Sequence, residues 1–186
     1  MTNNADSSAP HRRALVWRLT CFGSTALLGG GCDLGTKAWS VDALSGLPGQ
    51  ALMLAEPWLE LALAYNRGTA FGVMTDLGAT RLVFGVLSLL VLLWFTLLIV
   101  RTRCSLAEII SLGAIAGGAI GNGLDRLFRQ APGGGTGVVD FIKVNYPWGG
   151  SWPTFNVADA LIACGALGFW LARAWQKRRL PKVETA

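Results

Sequence analysis

The sequence predicts an all-α membrane protein with four transmembrane helices and a small β-sheet on the outer membrane surface. Only 15% of the 186 residues are charged and 52% are hydrophobic, whereas about a quarter of the residues in a soluble domain are charged. The apolar residues are gathered in long runs that contain no charge. Gly, with 24 residues, and Trp, with 8, are abundant, which is typical of helix contacts and membrane interfaces respectively.

Four apolar runs predict the four spans. Residues 82–100 are the clearest, because they contain no charge and a transmembrane helix needs about 20 apolar residues. Residues 109–124 are rich in Gly and Ala and predict a helix that packs closely against its neighbours. Residues 160–172 extend to residue 176 if Arg173 snorkels, and residues 19–32 are lengthened in the same way by Arg18.

The positive charges predict the orientation of the spans. Ten of the 16 Lys and Arg residues fall on one side, which the positive-inside rule assigns to the cytoplasm. They are Arg12, Arg13, Arg18, Arg101, Arg103, Arg173, Lys177, Arg178, Arg179 and Lys182. We therefore expect a disordered cytoplasmic tail at residues 1–13, a membrane domain at residues 14–176 and a basic cytoplasmic tail at residues 177–186.

The first outer segment contains a strand pattern. In residues 59–65 the larger apolar side chains alternate, which predicts a half-buried strand. Asn66, Arg67 and Gly68 follow as a turn. This strand is the basis for the small sheet on the outer surface.

Several function classes are excluded or disfavoured. The basic residues cluster at the ends of apolar runs, without a basic stripe interleaved with aromatics, so we expect no nucleic acid partner. The four Cys residues form no CxxC pair, and His11 is the only histidine. We expect no metal and no cofactor, so any chemistry comes from carboxylates, lysines or hydroxyls. A lipoprotein signal ending at Cys32 is disfavoured by Gly29, where Leu is usual, and by three further apolar runs.

Polar residues gather at one depth in the membrane, where ionisable groups are functional-site candidates by default. They stand at the outer ends of three spans and in the outer loop before the last one: Asp33, Lys37, Asn122, Asp125, Arg126, Asp140, Asn156 and Asp159. The alternative interpretation makes them interfacial caps and ion pairs. In that case Asp33 pairs with Lys37, Asp125 pairs with Arg126, and Asn156 is a helix N-cap.

Five motifs resemble those of bacterial lipoprotein signal peptidase (signal peptidase II), in the family's order and across roughly residues 14–176. They are Asp33-Leu-Gly-Thr-Lys37, Asn66-Arg-Gly-Thr-Ala-Phe71, Gly117-Gly-Ala-Ile-Gly-Asn-Gly-Leu-Asp-Arg126, Val138-Val-Asp-Phe141 and Phe155-Asn-Val-Ala-Asp159. Two features depart from the family. Leu34 replaces the usual Gln, and residues 128–137 resemble an insertion that we expect to form a flexible loop beside the site.

The resemblance implies a four-span aspartyl protease of the bacterial inner membrane with its active site at the outer leaflet. Its substrates would be diacylglyceryl-modified prolipoproteins, cleaved just before the lipidated cysteine. The motif match assigns catalysis to Asp140 and Asp159. It assigns supporting or substrate-binding roles to Asp33, Lys37, Asn66, Gly68, Asn122, Asp125, Arg126 and Asn156. Membrane lipid is the other expected partner, and we expect a monomer.

Two other functions remain open at this point. A Ser-Lys dyad would use Lys37 or Lys143 with Ser40 or Ser151, although Asp33 would hold the proton on Lys37. A small transporter or scaffold would use the carboxylates as a proton relay, although no repeat relates the two halves of the chain.

Overall fold

The computed structural model describes residues 9–67 and 77–179, with side chains from residues 11–67 and 82–179. This part of the chain contains four helices, three strands and a short 3₁₀ turn at Pro48–Gln50. In chain order they are α1 (Ala9–Leu44), β1 (Ala51–Ala55), β2 (Leu59–Asn66), α2 (Leu77–Arg101), α3 (Leu106–Phe128), β3 (Val138–Val144) and α4 (Val157–Arg179).

Three of the described helices are long and apolar enough to cross a membrane: α2 through Leu82–Arg101, α3 and α4. The 36-residue α1 is not among them, so the prediction of four transmembrane helices is not confirmed. Its central stretch contains Gly29, Gly30 and Gly31 together with Thr and Ser residues, which lower its hydropathy. Residues 9–13, for which the sequence predicts disorder, are helical. The first eight residues, Gly68 and the tail beyond residue 179 lie outside the described residues.

Helix α3 is the centre of the bundle and packs against α1, α2 and α4. It begins at a capping box in which Ser105 and Glu108 bind each other's backbone N–H. Its glycines allow the close packing that the sequence predicts. A Cβ atom on Gly118 would lie 2.5 Å from the carbonyl oxygen of Ala158, and one on Gly121 would collide with the carboxylate of Asp33.

Helix α2 lies at the edge of the bundle. Leu82, Leu89 and Trp94 are 64% to 68% exposed, and such large apolar side chains are stable at a surface that faces lipid. The helix is therefore consistent with a membrane environment in which its outer face is solvated by acyl chains.

The three strands form one antiparallel sheet in the order β1-β2-β3. The predicted strand is thus confirmed as β2. One face of the sheet packs on the end of α1, in a cluster of Leu44, Leu61, Val139 and Phe141. Because this cluster ties the last turns of α1 to the sheet, α1 continues well beyond the run that the sequence predicts as a span.

The segment predicted as a flexible insertion has a closed geometry. Helix α3 continues through Phe128, and the next residues fold into a hydrogen-bonded turn. Gly137 N donates to Arg129 O at 3.2 Å, and Ala131 N donates to Gly135 O at 3.0 Å. Thr136 is buried and donates to the carbonyl of Arg126 at 2.6 Å. The turn therefore connects α3 to β3 as a hydrogen-bonded hairpin.

Candidate active site

The structure brings together the predicted site residues that it describes, from five different elements. Asp33 and Lys37 come from α1, Asn66 from the end of β2, and Asn122, Asp125 and Arg126 from the last turns of α3. Asp140 lies in β3, and Asn156 and Asp159 stand at the start of α4. Gly68, the remaining predicted residue, lies outside the described part of the chain.

Asp140 is positioned by the register of the sheet. It pairs with Ala64 of β2, and Val138 pairs with Asn66. Asn66 is therefore a diagonal neighbour of Asp140 on the same face, and its side chain hydrogen-bonds the carboxylate. Val139 and Phe141 point into the cluster on the opposite face. The alternation of side chains along a strand thus leaves Asp140 facing the helix ends.

Asp159 is positioned by the connection between β3 and α4. Phe155 forms an antiparallel bridge with Ile142, with bonds of 2.8 and 3.0 Å, so the start of α4 lies beside the strand that carries Asp140. Asn156 caps the helix, because its Oδ1 accepts from the N–H of Asp159 at 3.0 Å. In return Asp159 Oδ2 accepts from the N–H of Asn156 at 3.2 Å. This reciprocal pair is a capping box.

Asn156 also binds the second carboxylate. Its Nδ2 donates to Asp140 Oδ1 at 2.6 Å, and it donates at 3.2 Å to Asn122 Oδ1. The residue is fully buried. Asn156 therefore binds the Asp140 carboxylate through its side chain and the Asp159 carboxylate through its backbone N–H, which fixes their relative positions.

The electrostatics of Asp140 reflect its surroundings. Burial and, to a smaller extent, the nearby negative charge of Asp159 together raise the pKa of this carboxyl to about 6. Hydrogen bonds from Asn156 and Asn66 and the positive charge of Lys37 oppose this rise. Asp140 is thus protonated more easily than an ordinary aspartate.

Lys37 connects the buried polar side chains at the base of the site, here called the floor: Asp33, Lys37, Asn122 and Asp125. Its ammonium is fully buried and lies 2.7 Å from Asp33 Oδ2, 2.8 Å from Asn122 Oδ1 and 3.2 Å from Asp125 Oδ2. The contacts with Asp33 and Asn122 are hydrogen bonds donated by the ammonium, and the contact with Asp125 is an ion pair. Asn122 must turn its oxygen to Lys37, and its Nδ2 then donates to Asp159 Oδ1 at 2.8 Å.

Asp33 connects this floor to α4 as well. Its Oδ1 accepts from the N–H of Ala158 at 2.8 Å, one of the amides that a helix N-terminus leaves without an intrahelical partner. Its other oxygen binds Lys37, so the predicted pairing of these two residues is confirmed. The carboxylate therefore joins α1 to the first turn of α4.

Arg126 does not pair with Asp125, and that alternative interpretation is wrong. Asp125 instead binds Lys37 and Arg129, the latter at 2.5 Å, and accepts from the N–H of Val139 at 3.3 Å. The guanidinium of Arg126 lies 4.3 Å from the centre of the Phe84 ring and donates to the carbonyl of Asn122 at 3.2 Å. Its Nε is buried without a hydrogen-bond partner among the described residues.

A groove of about 240 Å³ runs between α2, α3 and α4. Its lining is apolar except for Ser88 and for Asn122 and Arg126 at one end: the other lining residues are Phe84, Leu87, Val91, Ala119, Gly123 and Ile162. The groove thus joins a membrane-depth apolar surface to the polar site.

Three groups in the site were not predicted from the sequence: the Phe84 ring, Arg129 and the backbone N–H of Ala158. Arg129 stands four residues after Asp125 at the C-cap of α3, a spacing that could have identified the pair. Phe84 and Ala158 N–H meet the site through tertiary packing, for which the sequence carries no local signal. In the described residues, no group of three or more His, Cys, Asp or Glu side chains is placed to hold a metal ion.

Comparisons with known proteins point to one family. Residues 25–174 match the family model described as signal peptidase (SPase) II. A lipoprotein signal peptidase of Syntrophomonas wolfei is 39% identical over 132 residues, which cover 71% of this chain and 78% of the relative. One of Xylella fastidiosa is 32% identical over 176 residues, covering 93% and 96%.

The fold also has a counterpart among solved structures. A bacterial membrane enzyme determined by the in meso method superposes with a TM-score of 0.67 at 22% sequence identity. The superposition covers 85% of this chain and 90% of that one. At this level of identity the likeness concerns the fold.

Proposed function

The chain belongs to the signal peptidase II family, and from this premise we propose that it is an aspartyl endopeptidase that removes signal peptides from prolipoproteins. Its relatives are named lipoprotein signal peptidases. We assign the reaction to Asp140 and Asp159. The observation that carries this assignment is that one buried residue, Asn156, hydrogen-bonds both carboxylates, Asp140 through its side-chain Nδ2 and Asp159 through its backbone N–H.

In the proposed mechanism the two carboxyls share one proton, because two adjacent carboxylates do not both ionise easily. Asp159 is the ionised member. It accepts hydrogen bonds from Asn122 Nδ2 and from the N–H of Asn156, and it stands in the first turn of α4, where the helix dipole favours a negative charge. Asp140, with its pKa raised to about 6, is the protonated member.

The reaction then proceeds without a covalent intermediate. Asp159 takes a proton from water as the oxygen attacks the carbonyl carbon of the scissile peptide bond, while the carboxyl of Asp140 donates a hydrogen bond to the carbonyl oxygen. Collapse of the tetrahedral intermediate breaks the carbon–nitrogen bond, and the proton held by Asp159 passes to the leaving amine. Asp140 keeps its proton, and the pair returns to its starting charge.

The groove beside Arg126 suits a lipid-modified substrate. We propose that acyl chains of a diacylglyceryl-modified cysteine lie against its apolar walls, and that the peptide bond before this cysteine reaches the dyad. The chains already sit in lipid before binding, so their burial adds little affinity. Their role is to hold the bond at the depth of the two carboxylates, because correct orientation lowers a reaction barrier by several kcal/mol.

We further propose that the enzyme lies in the bacterial inner membrane with its site at the outer leaflet. In this arrangement α1 supplies a fourth span and both termini face the cytoplasm. The ten Lys and Arg residues gathered on the side opposite to the site support this orientation.

The rival Ser-Lys mechanism conflicts with the environment of the candidate lysines. Lys37 contacts two carboxylates, which stabilise its charged form, and Ser40 donates to the backbone carbonyl of Lys37 rather than to its amine. Lys143 is ion-paired with Glu60 at 2.9 Å. A general base of this type must instead lose its proton readily.

The test compares two substrates with purified protein. A prolipoprotein carrying the diacylglyceryl group and the same chain without it are incubated at saturating concentration, and the products are identified by mass. We expect a product that begins with the modified cysteine, and much slower cleavage of the unmodified chain. Absence of any cleavage would contradict the proposed function, and equal rates would contradict the role given to the lipid.

A further inference from the structure

A second cavity, with a mixed polar and apolar lining, lies at the end of the bundle opposite to the carboxylate pair. It has a volume of about 520 Å³ and is lined by His11, Leu15 and Arg18 of α1, by Val100 of α2 and by Arg103 in the link to α3. The three α1 residues are spaced at i, i+4 and i+7, so they share one face of the helix. Arg18 and Asp33 are separated by roughly 22 Å along α1 at the helical rise per residue.

The positive charge of this cavity is not neutralised within the described part of the chain. One nitrogen of Arg18, Nη2, donates to the carbonyl of Thr102 just beyond the end of α2, but Nε is buried and has no hydrogen-bond partner among the described residues. Arg103 forms no ion pair with any described residue. A buried donor left unpaired costs free energy, so an acceptor from outside the described residues would stabilise Arg18 Nε, and the charge of the two arginines favours an anionic one.

The described carboxylate at this end of the bundle is already engaged. Glu108 is fully buried, forms an ion pair with Arg173 and accepts from Gln176 Nε2 at 3.0 Å. It also accepts from the N–H of Ser105 at 2.6 Å. Glu108 is therefore occupied by side chains of α4, and no described carboxylate pairs with Arg18 or Arg103.

We propose that this cavity binds the phosphate group of an anionic phospholipid. Arg18 and Arg103 would hold the phosphate, and Leu15 and Val100 would contact the first part of an acyl chain. The mixed lining favours this occupant over a free anion, because a phospholipid matches both the charged and the apolar wall. Basic pockets between membrane helices bind lipid headgroups in this way. The site is independent of the proposed protease reaction.

The experiment measures lipid retention by native mass spectrometry on the purified full-length protein in a neutral detergent. Phosphatidylglycerol is titrated into the wild type, Arg103→Gln and Arg101→Gln. Arg101 is the matched control, since it stands two residues away, is exposed and does not line the cavity. We expect Arg103→Gln to weaken binding about fivefold, the effect of one basic residue near a lipid phosphate, and Arg101→Gln to leave it unchanged.

Two further arms identify the ligand. Arg18→Gln should weaken binding by at least as much as Arg103→Gln. Because the Arg103 side chain makes no hydrogen bond to any residue that the structure describes, the proposal stays testable if the Arg18 variant unfolds. Phosphatidylcholine should bind more weakly, and inorganic phosphate at the same concentration should not displace the lipid. Equal effects of the Arg101 and Arg103 variants, equal binding of phosphatidylcholine, or displacement by phosphate would each overturn the proposal.

Discussion

Replacement of Lys37 by Met tests the account of the site floor. The ammonium is fully buried and has Asp33 Oδ2 at 2.7 Å and Asp125 Oδ2 at 3.2 Å. Met fills a similar volume, so little cavity is created. The change instead leaves Asp33 as a buried charge without a cation, whereas Asp125 keeps Arg129 at 2.5 Å.

The magnitude follows from the burial of the pair. Removing one partner of a buried ion pair costs about 3–5 kcal/mol. For a chain of this size each kcal/mol lowers Tm by about 2–4 °C, so we expect a fall of roughly 6–20 °C. Lys143→Met is the matched control. Lys143 and Glu60 are 31% and 17% exposed, and such a surface pair contributes only about 0–1 kcal/mol.

The assay is thermal unfolding of the purified variants in detergent, with the Asp33→Asn/Lys37→Met double variant included. Asn at position 33 retains an acceptor for the N–H of Ala158 but removes the negative charge that lacks a cation in Lys37→Met. The double variant should therefore recover most of the lost stability. A Lys37→Met variant no less stable than Lys143→Met, or a double variant no more stable than Lys37→Met, would contradict the stabilising role of the buried ion pair.

Three further predictions concern the pH profile, the helix packing and the topology. Because the reaction needs a protonated Asp140 and its pKa is about 6, kcat/KM should fall as pH rises through about 6, and a flat profile from pH 5 to 8 would contradict the assignment. Gly121→Ala should lower Tm, since the new Cβ meets the Asp33 carboxylate. Gly31→Ala adds a Cβ that meets nothing within 4 Å and should raise stability by up to about 1 kcal/mol. Equal stability of the two variants in thermal unfolding would contradict the close packing at Gly121. A reporter fused after residue 186 should be active in the cytoplasm, and activity confined to the periplasm would reverse the proposed orientation.

The extent of α1 shows where the sequence was insufficient. The apolar run at residues 19–32 is visible in the sequence, and the charges of Asp33 and Lys37 predict that the span ends there. In the structure these two side chains neutralise each other at 2.7 Å and the helix continues to Leu44. The helix end depends on tertiary packing against the sheet, which no local pattern reports.

The strands differ in how far they could be predicted. The alternation in β2 identified it, and the β-branched run of β3 is also typical of a strand. By contrast β1 consists of Ala, Leu and Met, which favour helix, and it is extended because it pairs with β2. Pairing with a neighbour overrides the local preference here.

The pairing of Asp125 illustrates a limit of reasoning from adjacency. Asp125 and Arg126 are neighbours in sequence, but consecutive residues on a helix do not face each other. One partner is Arg129, four residues on at the C-cap of α3, and the other is Lys37 from α1. The first could be predicted from helix geometry, whereas the second requires the packing of α1 against α3.

The most direct test of the carboxylate pair is the single-turnover cleavage rate of a diacylglyceryl-modified prolipoprotein by Asp140→Asn and Asp159→Asn. Asp42→Asn is the matched control, because Asp42 is an exposed aspartate on α1 beyond the site. We predict that each dyad variant retains the wild-type Tm to within a few degrees and loses at least about 10²-fold in rate, the contribution of one general acid or base. Asp42→Asn should cleave at the wild-type rate. A folded Asp140→Asn or Asp159→Asn variant that cleaves as fast as Asp42→Asn would contradict the assignment of the reaction to these two carboxyls.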